Sequence, residues 1–354
     1  KINSSFVFNI NIWCIGILFT TSLMKFIQFI GTQRSGSNLL RLMLSQLQGI
    51  YAPHPPHILK TFYPLLVKYG NLNSKKNFEF LIDDVISWIR LNPVKWNEIP
   101  TKNQILEKVM GRSLFQVFRS VYEINALKEK NIKYWCCKSL YNLNFFDNNN
   151  FRELEPIYIY IYRDGRDVAS SFMKAPIGDK HIYFLAKKWY RDQKTSLKIK
   201  ENCSRENFFS IKYEDLLSNP KKIIQNFCDK YLIDYNDNFI DFYKSDDSII
   251  ASSSGKLWKN LSKPLIKNNK EKYIDELSAN QILLFESINY RYLKMLNYKL
   301  KYDNSKFINS FSKNDLLNYN ILNNKLRDEF FSKISSMELS KREMQLKFLE
   351  KVNN

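Results

Sequence analysis

Residues 26–47 read FIQFIGTQRSGSNLLRLMLSQL, and this stretch decides the fold. Phe26 to Ile30 form a short apolar run that reads as a buried strand. Leu39, Leu40, Met43 and Leu47 make an apolar stripe at helical spacing and Gly49 supplies a stop, so a helix over 39–48 is predicted. Between them lies GTQRSGSN (31–38), a glycine-framed turn from strand into helix. In that setting the backbone N–H groups and the helix N-terminus form a nest for an anion. Arg34 adds a fixed charge with a two-pronged donor, and Ser35, Ser37 and Asn38 add neutral donors. A nucleotide triphosphatase would place lysine after the second glycine, where Ser37 stands. The loop therefore reads as a phosphate cradle for something other than the end of ATP or GTP.

Further along, YIYRDGRDVASSF (160–172) repeats the plan. A strand alternating Ile and Tyr over 157–162 ends in Arg163, where a triphosphatase would put an aspartate for magnesium. A helix is predicted from Val168, with Asp164 and Gly165 in a turn, Asp167 as the helix cap and Ser171 on the helix. Arg163 and Ser171 converging there suit a second phosphate; the plainer alternative is a capping turn with surface charges. A third strand, FFSIKY (208–213), leads into the helix PKKIIQNFCDKYL (220–232). Strands alternating with helices predict an α/β fold of three layers, a central parallel sheet flanked by helices. Residues 51–70, punctuated by Pro53, Pro55, Pro56 and Pro64, are expected to line a cleft or form a lid. Residues 78–130 are mainly helical in pattern, with a break from Pro93 to Pro100.

The rest of the chain sets bounds. A balance of +19 over 354 residues permits an anionic partner, but no nucleic-acid recognition motif accompanies it, so none is expected. Cys14, Cys136, Cys137, Cys203 and Cys228 form no CxxC spacing, which argues for a reducing compartment and a cytoplasmic location. His54, His57 and His181 make no metal-ligating pattern, and no metal is expected. Residues 1–23 are apolar and are expected to lie outside the fold, upstream of a start at Met24; membrane anchoring through 6–24 is the alternative. Residues 24–300 then form the catalytic domain and 301–354 a charged helical extension. In that extension an apolar stripe at 322, 326, 330, 334 and 337 marks either a helix pairing two copies of the chain or one packed back on its own domain.

Taken together, GTQRSGSNLLRLML, WCCKS (135–139), YIYRDGRDVASSF and IKYEDLLSNP (211–220), in this order and at these separations, resemble the sulfotransferase family, from about Lys25 to Leu300. The resemblance implies a P-loop-like fold and 3′-phosphoadenosine 5′-phosphosulfate (PAPS) as donor, without a metal. It implies that Thr32, Gln33, Arg34, Ser35, Gly36, Ser37 and Asn38 form the 5′-phosphosulfate loop, with Arg34 at a place often held by lysine. Arg163 and Ser171 match the pair that binds the 3′-phosphate, and Tyr213 a residue near the adenine. Lys138 matches a lysine acting near the sulfuryl group. WKNLS (258–262), with Lys259, resembles the late segment closing over the 3′-phosphate, although the residues before Trp258 depart from the family's glycine and basic pattern.

Cytosolic members carry a histidine two residues after that lysine, and here Leu140 stands there. Other branches place an acidic base about twenty residues beyond the first loop's arginine, a distance that lands here on APHPPH (52–57). His54 is the first candidate base and His57 the second, with His181 behind them. An imidazole with an unperturbed pKa near ~6.5 suits accepting a hydroxyl proton at neutral pH. The implied reaction moves a sulfuryl group to a hydroxyl or amine of a small-molecule, glycan or lipid acceptor, with Arg34 and Lys138 at the developing charge. The competing readings are an ATP-using P-loop kinase and a catalytically degenerate nucleotide-binding member.

Overall fold

The structure is a computed structural model and describes residues 24–334, 340 and 343–353. The expectations for residues 1–23 and for Met337 fall outside the described residues. Strand β1 (Lys25–Ile30) enters the loop 31–36 and helix α1 (Ser37–Leu44), which starts two residues earlier and ends four residues earlier than the stripe implies. Strand β2 (Ile50–Tyr51) follows, then α2 (Ile58–Phe62), α3 (Lys75–Arg90), α4 (Lys102–Lys108) and α5 (Leu114–Ala126). Strand β3 (Tyr134–Cys137) and α6 (Asn149–Arg152) lead to β4 (Ile157–Tyr162), α7 (Gly165–Met173) and α8 (Ile182–Asn202). Strand β5 (Phe208–Lys212) is succeeded by α9 (Tyr213–Ser218), α10 (Pro220–Tyr231), α11 (Asp246–Ser253), α12 (Tyr273–Glu276) and α13 (Ala279–Met295). Two C-terminal helices, α14 (Lys313–Phe331) and α15 (Glu343–Asn353), complete the described chain.

The five strands form one parallel sheet in the order β2-β3-β1-β4-β5. Alternation along β4 assigns the faces. Tyr158 and Tyr160 join Phe26, Trp135, Phe118, Tyr122 and Trp189 in one core; Ile157, Ile159 and Ile161 join Phe29, Leu40, Met43 and Phe227 in the other. Phe26 stacks on Trp135 at 4.0 Å between ring centroids. Both faces of the sheet are thus covered, as an all-parallel sheet requires. Because every strand runs the same way, all their C-terminal ends open onto one edge. Gly31, the 52–54 stretch, Lys138, Arg163 and Tyr213 each follow directly on one of those ends.

Helix α7 begins at Gly165, not at Val168, and its cap is Asp164, whose carboxylate accepts from the Arg166 N–H at 2.9 Å. Glycine is admitted at that start because a β-carbon on Gly165 would lie 2.4 Å from the Phe285 ring and 2.7 Å from Trp189. Arg166 is structural: it forks onto Asp164 at 3.0 and 2.7 Å and reaches Glu286 at 2.5 Å. The C-terminal helix α14 packs back on the domain. Its inner face carries Tyr319, buried Asn323, Leu326 and Phe330, while Leu322 turns outward, so the stripe begins on a different residue than the apolar pattern indicates. Cys136, Cys137, Cys203 and Cys228 are free thiols. Among the described residues no helix is long and apolar enough to cross a membrane.

Candidate active site

The loop between β1 and α1 is held in a shape only certain residues tolerate. Arg34 has φ 73° and Gly36 φ 89°. A β-carbon on Gly36 would lie 2.4 Å from the Tyr213 ring, so the glycine lets the loop and the aromatic wall touch. The two motifs meet here: the Arg34 Nε donates to Ser171 Oγ at 3.0 Å across 137 positions of sequence. Arg163 donates to the Arg34 carbonyl at 3.3 Å and lies 4.6 Å from the centre of the Tyr213 ring. Arg34, Gly36, Ser37, Asn38, Arg163, Ser171 and Tyr213 line one cavity of about 370 Å³.

Asp167 does not cap α7. Its carboxylate accepts from Arg163 at 3.1 Å and from the backbone N–H groups of Glu271 and Tyr273 at 2.8 and 2.9 Å. Asn269 adds its carbonyl to Arg163 at 3.0 Å and its amide to the Tyr213 hydroxyl at 2.7 Å. The segment 269–273 is thereby tied to the second motif, a long-range closure that no local pattern reveals. Of WKNLS, Trp258, Asn260 and Leu261 line the cavity, whereas Lys259 is exposed and outside its lining. Thr32 is buried and its hydroxyl accepts from Gln193 at 2.9 Å, which braces the loop from behind against α8. Gln33 is half-buried and also outside the lining.

Positive charge is crowded at this edge. Lys138 is buried, and its ammonium takes no hydrogen bond or ion pair among the described residues. Burial first, and then the Arg41 and Arg34 charges, pull its pKa down to about 7. Arg34 is likewise lowered, by burial and then by Arg163. Arg41 was hidden from sequence reasoning inside the apolar run LLRLML, and a charge at the centre of such a run is the signal that could have found it. It is fully buried, with Nη1 on the Ala52 carbonyl at 2.8 Å and on Asp247 at 2.6 Å. Its Nε and Nη2, the Nε of Arg163 and the hydroxyl of Ser35 are buried without partners among the described residues. An unmade buried hydrogen bond costs ~1 to 3 kcal/mol, and cations pressed together cost more, so the arrangement fits a site that is complete only around an anion.

The three histidines separate. His181 caps α8, accepting from the Tyr183 N–H at 3.3 Å and stacking on Tyr319 at 4.7 Å. That is a structural position, outside the cavity lining. His57 sits at φ 58°, with its Nδ1 2.9 Å from the hydroxyl of Ser139, next to Lys138. His54 is buried, its ring 5.4 Å from that of Trp258 on the first cavity. His54 also lines a second cavity of about 660 Å³, with Tyr51, Trp96, Glu98, Glu129 and Asp247. It therefore lines the second space and touches, through Trp258, the wall of the first. Among the described residues no group of His, Cys, Asp or Glu side chains is placed to hold a metal ion.

Comparison with known proteins agrees with this fold. No curated protein matches the chain. Among solved structures, the sulfotransferase domain from the curacin biosynthetic pathway is similar over 79% of this chain and all of its own, with 16% identity and a TM-score of 0.54, a likeness of fold. The sulfotransferase domain from the Synechococcus PCC 7002 olefin synthase is similar over 75% of this chain and 95% of its own, with 19% identity and a TM-score of 0.49. A family model described as the sulfotransferase family matches residues 27–237, more than half of the chain and all but the first residues of the strand-loop-helix at its start. With its anion loop, its second arginine motif and its parallel sheet inside that match, the chain belongs to the sulfotransferase family, and the enzyme is a sulfotransferase.

Proposed function

We propose that the enzyme takes PAPS as its donor and passes the sulfuryl group in line to a hydroxyl or amine of a small-molecule, glycan or lipid acceptor. The observation that carries this reading is the hydrogen bond from Arg34 to Ser171, which puts two anion-binding motifs on one cavity. The loop 31–38 with Arg34 would hold the 5′-phosphosulfate, Arg163 and Ser171 the 3′-phosphate, and Tyr213 the adenine. Bound donor would supply a sulfuryl group on a phosphate leaving group, and the protein does the rest by charge and proton placement.

Lys138 is only partly protonated at neutral pH in the free protein, given its pKa of about 7. An anion beside it favours the ammonium form, so the lysine is charged when it is needed. It then stabilises the oxygen on which negative charge grows. His54 would accept the proton of an acceptor entering from the 660 Å³ side, a role supported by its place in that cavity's lining and its contact with Trp258. His57, hydrogen-bonded to Ser139, is the alternative base. Replacing His54 with asparagine is expected to lower turnover about a hundredfold, the lower end of general-base effects. Turnover unchanged in the His54→Asn, His57→Asn double variant removes the base assignment but leaves the family intact.

Donor identity is tested by thermal-shift titration. Stabilisation by 3′,5′-adenosine bisphosphate in the presence of EDTA is the expected result, with ~2.7 kcal/mol gained at a hundred times the dissociation constant. Stabilisation by Mg-ATP alone would instead favour a kinase-like phosphotransferase. Nucleotide binding with no turnover on any acceptor in a broad screen with labelled donor would favour a degenerate member.

A further inference from the structure

The matched segment ends at residue 237, yet one wall of the donor cavity is held from far beyond it. Lys174, Ala175 and Pro176, at the end of α7, line that cavity beside Ser171. The turn continuing from them is fixed at residues 179–181. There Asn323 of α14, itself buried, accepts from the Lys180 and His181 N–H groups at 2.8 and 3.0 Å with one oxygen. Its amide nitrogen donates to Asp179 at 2.9 Å. Three of the four hydrogen bonds this amide can make thus go to one turn.

Lys180 carries the constraint back to the wall. Its ammonium donates to the carbonyls of Phe172 at 2.9 Å, Ile177 at 3.1 Å and Ala175. Phe172 lies in the last turn of α7, so the cation closes the helix end where carbonyls lack partners. The ring of Phe330, also on α14, covers the ammonium at 4.3 Å. Tyr319 stacks on His181 from the same helix. Asn323, Tyr319 and Phe330 therefore grip a single turn, and through Lys180 that turn sets the position of Ala175 and the end of the helix bearing Ser171.

We propose that Asn323 is a positioning residue for the donor cavity, acting through the 179–181 turn and Lys180 on the wall formed by residues 174–176. The consequence for nucleotide affinity rests on the PAPS reading above; the consequence for the wall does not. Two readouts keep them apart: calorimetric titration of 3′,5′-adenosine bisphosphate, and hydrogen exchange of the 174–181 amides. Asn323→Ala is expected to weaken nucleotide binding about tenfold, the scale of residues acting through a packed network, and to speed exchange at 174–181. With saturating donor, kcat stays near wild type. Asn323→Asp keeps the acceptor but sets a second carboxylate against Asp179, so it weakens binding as well. The double variant Asn323→Asp, Asp179→Asn exchanges donor and acceptor and is expected to restore affinity, a rescue that general destabilisation would not give. Unchanged exchange at 174–181 in folded Asn323→Ala overturns the proposal, as does a double variant that folds but binds no better than Asn323→Asp. Faster exchange with no nucleotide binding even by wild type sinks the donor reading and leaves the positioning role standing.

Discussion

Lys138→Met is expected to lower turnover about 10³-fold, the upper range for losing one preorganised donor at developing charge. Affinity for 3′,5′-adenosine bisphosphate is expected to survive, because the loop, Arg163 and Ser171 are untouched. The same substitution should make the free protein more stable. In the fold Lys138 is buried with Arg41 and Arg34 as its charged neighbours, and its pKa falls from 10.5 to about 7. Between those values the unfolded chain holds more protons than the folded one, so the native lysine's contribution to stability improves as pH rises. Its penalty is fully present below pH 7 and gone above about 10.5. Replacing buried ionic groups by well-packed apolar side chains of similar volume is often neutral or stabilising by ~1 to 4 kcal/mol, and here an uncompensated charge is removed. The melting temperature of Lys138→Met should therefore exceed wild type at pH 6, with the gap closing toward pH 10. Turnover and nucleotide affinity falling by equal factors would refute the division of roles.

Arg163→Met is the second large effect, and it falls on binding and folding together. The substitution removes the donor-cavity guanidinium and leaves Asp167 buried, holding only the Glu271 and Tyr273 N–H groups. Breaking a buried pair costs ~3 to 5 kcal/mol, so a large drop in melting temperature and a loss of nucleotide affinity of 10² or more are expected. Burial already raises the Asp167 carboxyl, and Arg163 opposes that rise. Without the arginine the carboxyl climbs further, and the folded state binds more protons than the unfolded one. Stability of the variant should then fall as pH rises through that carboxyl's value, and recover in acid where Asp167 is neutral in both states. Adding Asp167→Asn should recover part of the stability and none of the affinity. Wild-type affinity in Arg163→Met, measured at a temperature where it is folded, would remove this residue from the donor site.

How much of this could be read in the sequence depended on how locally each feature is encoded. Strands β1, β4 and β5 announce themselves as apolar or alternating runs, and the order of strands and helices was enough for a parallel sheet. Strands β2 and β3 are two and four residues long and present too little pattern, although WCCKS was visible as a motif. Helix α7 starts three residues early because packing against Trp189 and Phe285 requires a glycine there, a tertiary demand that reads locally as a turn. The motif residues Arg34, Arg163, Ser171 and Tyr213 do converge on one cavity. The closure is another matter: Asn269 and the 271–273 amides meet Arg163 and Asp167 over a hundred positions away, and Lys259, favoured by its place in WKNLS, faces solvent. In the tail, an apolar stripe pointed to Leu322, but the buried residue is Asn323, because two backbone N–H groups at 180–181 need an acceptor.

The grip of α14 on the 179–181 turn also has a temporal side. A ribosome makes every strand of the sheet before it makes residue 313, and domains generally begin folding from the N-terminal side as they emerge. A nascent chain can thus gather its sheet and anion loop while Asn323, Tyr319 and Phe330 are still unmade. Until they arrive, nothing on α14 can hold the wall that ends α7. Synthesis of α14 and the bracing of that wall then become one event, so a product cut short before α14 would be a folded sheet whose 179–181 turn lacks the Asn323 contacts.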